Sequence, residues 1–296
     1  MMKILLTTDG SENSDGAAKF LNKLQFTADD EISIFYVIGW VPILSEWEAL
    51  FPDFQVMRKD VAPKVLESCE NILKTAKAKV SSSFMEGYPD KSIIDTAEDT
   101  GVDLVVMGAR GKRGVGSYIV GSVTRLVTIN SRKPVLVIRP LQWGISGSIK
   151  ILFATDGSEH SDAMAKLIAS MPFPDDTEIT VLNVIPSPFE DIPERFAMEI
   201  NDRIKRAVAD ARTREFKESG EIIEKTCQLL SNKYSRIEDM AKIGDPSAEI
   251  LKTAEALKTN IIAVGSSGRR GIRGVLGSVS RHILNSSACS VLIGKS

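Results

Sequence analysis

Within GARGKRGVGSYIVGS, residues 108–122, Gly108 and Gly111 stand three apart, and after nine intervening residues Gly121 is paired with Ser122. The stretch lies between the apolar run DLVVM and a segment with helical spacing. A loop without side chains ahead of a helix lets backbone N–H groups approach a phosphate, and the positive end of the helix dipole favours the anion. Ser122 can cap that helix or donate to a phosphate, and Arg110, Lys112 and Arg113 add positive charge nearby. A plain surface connection with solvated basic residues has the same composition, so an isolated loop of this kind leaves both readings open. GSSGRRGIRGVLGS, residues 265–278, follows IIAV in the same way, carrying Gly265, Gly268, Gly277 and Ser278 with one residue fewer between the glycines. Arg269, Arg270 and Arg273 supply its positive charge.

Two further places bear on ligand chemistry. TTDGS at 7–11 and ATDGS at 154–158 put Asp9 and Asp156 directly after apolar runs. A carboxylate there can accept hydrogen bonds from a ribose hydroxyl or a base amino group. It can equally cap the next helix with help from Ser11 or Ser158, and on sequence alone capping is the stronger reading. Val37 and Val184 end the next apolar runs. Only their backbone groups could read a base edge, and burial explains their type without a ligand.

Other chemistries lack their residues. There is no GxxxxGK[ST], and no GxGxxG follows the first strand, where DGS stands instead. His160 and His282 occupy non-equivalent places and make a poor acid–base pair or zinc site, and His160 is expected on an exposed first helical turn. No GxSxG elbow is present. Cys69, Cys227 and Cys289 have no metal-ligand spacing, and three scattered thiols fit burial in a reducing compartment.

The elements that would hold these residues are written twice. KILLTTDGSENSDGAAKFL (3–21) and KILFATDGSEHSDAMAKLI (150–168) are identical at twelve of nineteen positions. The offset of 147 persists to EISIFYVI and EITVLNVI, becomes 157 between GYPDKSIIDTAEDTGVDLVVMGARG and GDPSAEILKTAEALKTNIIAVGSSG, and is 156 between KPVLVIRP and CSVLIGKS. Residues 1–140 and 149–296 therefore form two related domains, with LQWGISGS (141–148) as a linker. In each, strands apolar throughout alternate with helices, which predicts a five-stranded parallel sheet covered on both faces, a doubly wound α/β unit. Ligands of such sheets bind beyond the carboxyl ends of the strands, where all three loops lie.

The whole chain has 296 residues, 43% apolar and 26% charged, with a formal charge of −2. These values describe a soluble globular protein without the basic footprint that nucleic acid requires. The most apolar window, ISIFYVIGWVPIL, is too short to span a bilayer, and the N-terminus reads as a strand instead of a signal peptide. The expectation is a cytoplasmic protein that binds neither nucleic acid nor membrane.

The glycine rhythm, the DGS loops and GxPxxxI ahead of the fourth strand (Gly87, Pro89, Ile93; Gly244, Pro246, Ile250) together resemble the universal stress proteins, once per half. ATP-binding members carry G-2x-G-9x-G-[S/T], which Gly108, Gly111, Gly121 and Ser122 match in full. The resemblance implies Rossmann-like sheets of order 3-2-1-4-5 packed as an intramolecular pseudo-dimer through their last strands, with further pairing of two chains. It implies an adenine nucleotide, ATP or ADP or AMP, with or without magnesium. Asp9 would face the nucleoside and the Val37 backbone the adenine. Met107 and Gly108 would line base and ribose, while Gly111, Gly121, Ser122 and Val123 would hold phosphates. In the second half Asp156, Val184, Val264, Gly265 and Gly268 keep the pattern. The missing residue before Gly277 and Ser278 either shortens the lead into the helix or, if lost within it, turns the first helical residues by about 100°.

GWVPILSEWEALFPDF (39–54) gathers Trp40, Trp47, Phe51 and Phe54, expected to pack on the sheet or the other half; a lid or a protein-partner surface is the alternative. The functional expectation is an ATP-binding stress regulator or sensor. A slow ATPase or phosphotransferase, and a scaffold for an unknown protein partner, are the competing readings.

Overall fold

The computed structural model describes residues 1–39, 53–110, 120–139, 147–186, 202–268 and 276–295; at 53–57, 202–209 and 211 it describes the backbone alone. Gly111, Trp40, Trp47, Phe51, the side chain of Phe54, most of the expected linker and the arginines at 269, 270 and 273 lie outside the described residues.

The first half runs β1 (Lys3–Thr8), α1 (Glu12–Leu21), β2 (Glu31–Gly39), α2 (Asp53–Leu73), β3 (Lys79–Gly87), α3 (Pro89–Asp99), β4 (Leu104–Gly108), α4 (Ser122–Asn130) and β5 (Val135–Ile138). The second runs β6 (Lys150–Ala154), α5 (Glu159–Ser170), β7 (Glu178–Ile185), α6 (Asp202–Ser231), β8 (Arg236–Ile243), α7 (Pro246–Ala256), β9 (Ile261–Gly265), α8 (Ser278–Ser286) and β10 (Ser290–Gly294). The α/β class expected from the alternating apolar runs is what forms.

The strands make one ten-stranded sheet, in the order β3-β2-β1-β4-β5-β10-β9-β6-β7-β8. Every neighbouring pair is parallel except β5 with β10, which run antiparallel with Leu136 opposite Leu292. The reason is legible in their composition. VLVI and SVLIG carry no charge and are buried along their whole length, so as free edges they would leave apolar side chains and unpaired backbone groups in water. Pairing with each other removes both edges.

Helices cover both faces. One apolar layer contains Phe20, Leu66 and Leu73 from the first half with Phe153, Met164 and Tyr234 from the second; the other contains Ile93, Val105 and Val127 with Ile250, Ile262 and Ile283. Both layers therefore cross the midline. The Gln25 N–H of the first half also donates to the Pro172 carbonyl of the second at 2.7 Å, and the residues that follow them, Phe26 and Phe173, are both buried.

Candidate functional site

Both DGS turns are built alike. Asp9 Oδ1 accepts the Ser11 N–H at 3.1 Å and also the Ser11 hydroxyl, while Gly10 takes φ 71°, a left-handed conformation that favours glycine. Ser11 then caps α1 by accepting the Ser14 N–H, and the Ser14 hydroxyl oxygen in turn accepts the Ser11 N–H. In the second half Asp156 Oδ1 accepts the Ser158 N–H at 3.0 Å, Gly157 has φ 71°, and Ser158 caps α5 through the Ser161 N–H. The serine is thus the helix cap in both halves. The aspartate fixes the turn ahead of it, so capping by Asp9 or Asp156, the stronger reading from sequence, is not the arrangement that forms. Each carboxylate stays half-buried at the carboxyl end of the central strand of its half.

The glycine loops share one pair of stems. The Ala109 N–H donates to the Ile138 carbonyl at 2.8 Å, the Gly121 N–H returns to the Ala109 carbonyl at 2.8 Å, and the Thr124 hydroxyl donates to the Gly108 carbonyl at 2.9 Å. The Gly277 N–H likewise reaches the Ser266 carbonyl at 2.7 Å, and the Ser280 hydroxyl the Gly265 carbonyl at 2.6 Å. Because these stems coincide, the missing residue is taken up between 267 and 276. α4 and α8 start in the same way, on Gly121 (φ −63°, ψ 155°) and Gly277 (φ −61°, ψ 161°). Of the two alternatives for the deletion, a shortened lead is the one that forms, and Ser278 keeps the helical place of Ser122. Each serine is the first helical residue and is exposed; neither caps its helix, so of the two roles the sequence left open for Ser122, capping is not the one that forms.

The way these helices begin distinguishes them. α1, α5 and α7 start on side-chain caps, from Ser11, Ser158 and Asp245. α3 has none but opens on Pro89, which has no N–H to satisfy. α4 and α8 start on glycine with no side-chain cap, so their first-turn N–H groups have neither an intrahelical partner nor a cap.

The glycines themselves answer to different demands. A Cβ on Gly108 would lie 2.8 Å from the Asn13 carbonyl carbon and oxygen, and one on Gly265 3.1 Å from His160. These two positions let the strand end approach the first turn of α1 or α5, a packing requirement independent of any ligand. A Cβ on Gly268 would instead meet Asp156 Oδ2 at 2.7 Å. In the second half, then, the Asp156 carboxylate and the glycine loop are in direct proximity.

Around this frame Met107 and Val264 are buried, while Val37, Val184, Val123 and Gly121 are half-buried. The sequence reading missed two neighbours, Tyr36 and Arg58, and misjudged the exposure of a third, His160. Tyr36 is held above the usual phenol range, first by burial, with Arg58 opposing and Asp9 reinforcing that shift. Arg58 donates to the Gly39 carbonyl at 2.8 Å, so α2 is tied to the end of β2 beside the site. His160 is half-buried instead of exposed, its Nδ1 lying 3.3 Å from Ser266 Oγ. Its place on the first turn of α5 was legible, but the strand end it folds against was not.

A doubly wound parallel sheet with an acidic turn and an uncapped helix at its carboxyl edge, repeated across a midline, defines the class of molecule. The model of the universal stress protein family matches residues 1–139 and again residues 149–295. The chain belongs to the universal stress protein family. A universal stress protein of Methanocaldococcus jannaschii is 30% identical over 152 residues, spanning 46% of this chain and 94% of the relative. One from Mycolicibacterium smegmatis is 21% identical over 299 residues, 98% of this chain and 96% of the relative. The crystal structure of a universal stress protein from Archaeoglobus fulgidus superposes with a TM-score of 0.64 at 22% identity, covering 99% of this chain and 98% of that one. The last likeness is one of fold over both halves. No described helix is long and apolar enough to cross a membrane.

Proposed function

We propose that this protein is a cytoplasmic, adenine-nucleotide-binding stress regulator whose principal site lies in the first half. The observation that carries the reading is the uncapped glycine start of α4 at the same sheet edge as Asp9. Leu6 pairs with Val106 in the sheet, so Asp9 and Ala109 each stand three residues beyond that pair. Asp9 would accept from the ribose, and the Val37 backbone would face the adenine edge. Met107 and Gly108 would line base and ribose. Gly111, Gly121, Ser122 and Val123 would hold the phosphates, chiefly through N–H groups at the positive end of the helix. A triphosphate brings the anionic charge that this end attracts, and a magnesium ion would arrive on its oxygens. The full glycine spacing supports ATP over AMP, because a nucleoside monophosphate leaves much of the loop unused.

The second half keeps Asp156, Val184, Val264, Gly265, Gly268, Gly277 and Ser278 on an equivalent frame with a shorter loop. In this reading it is the weaker site, and binding there would sense a different nucleotide state. Self-association of chains and a protein partner downstream belong to the same proposal. Calorimetric titration of protein stripped of carried-over ligand, with ATP, ADP, AMP and cyclic AMP, tests it. ATP should bind with a stoichiometry near one per chain, and the binding should be lost in Gly121→Val, where a branched side chain enters the cradle. Saturable ATP binding that survives Gly121→Val unchanged would remove the assignment of the site.

A further inference from the structure

Nucleotide binding as proposed does not account for Arg139 and Lys295. They are pseudo-equivalent residues, one position beyond β5 and one beyond β10. Each carries its charge across the midline. Arg139 Nη2 donates to the Leu284 carbonyl of α8 at 3.0 Å, and its backbone N–H donates to Ser290 Oγ at 3.1 Å. Lys295 Nζ donates to the carbonyls of Thr128 and Ile129 in α4, at 2.9 and 3.3 Å. Thr128 and Leu284 are themselves related by the offset of 156 that relates the two cations. The exchange is therefore reciprocal: each half closes the last turn of the other half's final helix.

Those two helices are the ones whose N-termini stand open at the candidate sites. The last carbonyls of a helix have no intrahelical partner, and a cation there is favourable for the same dipole reason that an anion is favourable at the other end. α4 has nine residues, so its two ends are only about 13 Å apart. Near its N-terminus it is pinned by the Thr124 hydroxyl on the Gly108 carbonyl, and at its C-terminus by Lys295. Releasing the second pin lets the helix pivot about the first, which moves the N–H groups of the first turn. Arg139 reaches the same site by another route. The carbonyl of the preceding residue, Ile138, accepts the Ala109 N–H at the stem of the first glycine loop.

Resting on the nucleotide reading above, we propose that Lys295 and Arg139 are positioning residues for the two phosphate cradles. Each acts from the opposite half, and occupancy of one site is thereby coupled to the other. Such coupling is reciprocal, so whatever the second site binds alters first-site affinity by the same factor that ATP alters its own.

The test uses the full chain and three variants, Lys295→Met, Lys295→Arg and Arg139→Met, with circular dichroism as the check of folding. ATP titration of Lys295→Met should show affinity weakened about three- to ten-fold, the range expected for a cation at a helix C-terminus. Lys295→Arg should restore it. Hydrogen exchange without nucleotide should quicken in the α4 amides of Lys295→Met and in the α8 amides of Arg139→Met, not in both helices of either variant. Should Lys295→Met fail to fold, Lys295→Gln, which keeps a donor and loses the charge, carries the same expectation. A folded, uncharged variant with wild-type ATP affinity overturns the coupling, whatever its exchange. A wild type that binds no ATP overturns the nucleotide reading and the coupling with it. The exchange measurement then still decides whether each cation holds its helix, and unchanged exchange overturns that as well.

Discussion

A methyl group at Gly108 would press on the Asn13 backbone at 2.8 Å, and backbone cannot swing aside as the tip of a flexible side chain can. Gly108→Ala is expected to cost about 1–3 kcal/mol of stability, in the range for overpacking a filled site. Urea unfolding would show it as a lower midpoint at unchanged slope. Gly265→Ala meets His160 at 3.1 Å and should cost less. A second residue-scale prediction concerns Lys295, whose ammonium is pulled down to about 8 by burial. In the unfolded chain a lysine titrates near 10.4. Between about pH 8 and 10.4 the unfolded state therefore holds more protons than the fold, so this residue's contribution to stability rises with pH across that window. Unfolding at pH 7 and pH 9.5 should show wild type gaining relative to Lys295→Met at the higher pH. A gap that stays constant or moves the other way would contradict the assignment.

At the scale of elements, the serine caps and the aspartate turns form single units. Ser11→Ala removes the cap of α1 together with the hydrogen bond from the Ser11 hydroxyl to Asp9. A loss of about 1 kcal/mol is expected, typical of such caps, and chemical denaturation measures it. Much of this level was legible in the sequence. Apolar runs gave the inner strands but not the edge strands β3 and β8, whose KVSSSFMEG and RIEDMAKI are largely polar and exposed; the twofold writing of DGS placed both acidic turns. The duplicated glycine pattern placed both open helices. What could not be read was which of two polar neighbours would act as the cap, because Asp9 and Ser11 are equally suited by type and only the left-handed turn at Gly10 decides. The consequence of the missing residue was also undetermined. A deletion can be absorbed by a loop or by a helix, and it was the stems on Ala109 and Ser266 that kept it out of α8.

Across the whole molecule the two related halves share one sheet and both apolar layers. Heat or urea should therefore unfold the chain in one cooperative transition, with calorimetric and van't Hoff enthalpies equal. Two resolved transitions would mean that the β5–β10 seam is weaker than its burial implies. Pairing of the last strands came from resemblance to a family, and the uncharged composition of VLVI and SVLIG supplies its physical reason. The crossing of Arg139 and Lys295 could not be foreseen, since neither residue has any contact near it in the sequence that hints at a helix from the other half. The first-half site is the centre of the account, and one titration bears on it most directly. Protein freed of carried-over nucleotide is titrated calorimetrically with ATP, wild type beside Asp9→Ala. Saturable binding of about one ATP per chain is expected, weakened at least about tenfold by loss of the carboxylate, equivalent to about 1.4 kcal/mol. ATP that does not bind at millimolar concentration, or that binds equally well without the Asp9 carboxylate, would contradict it.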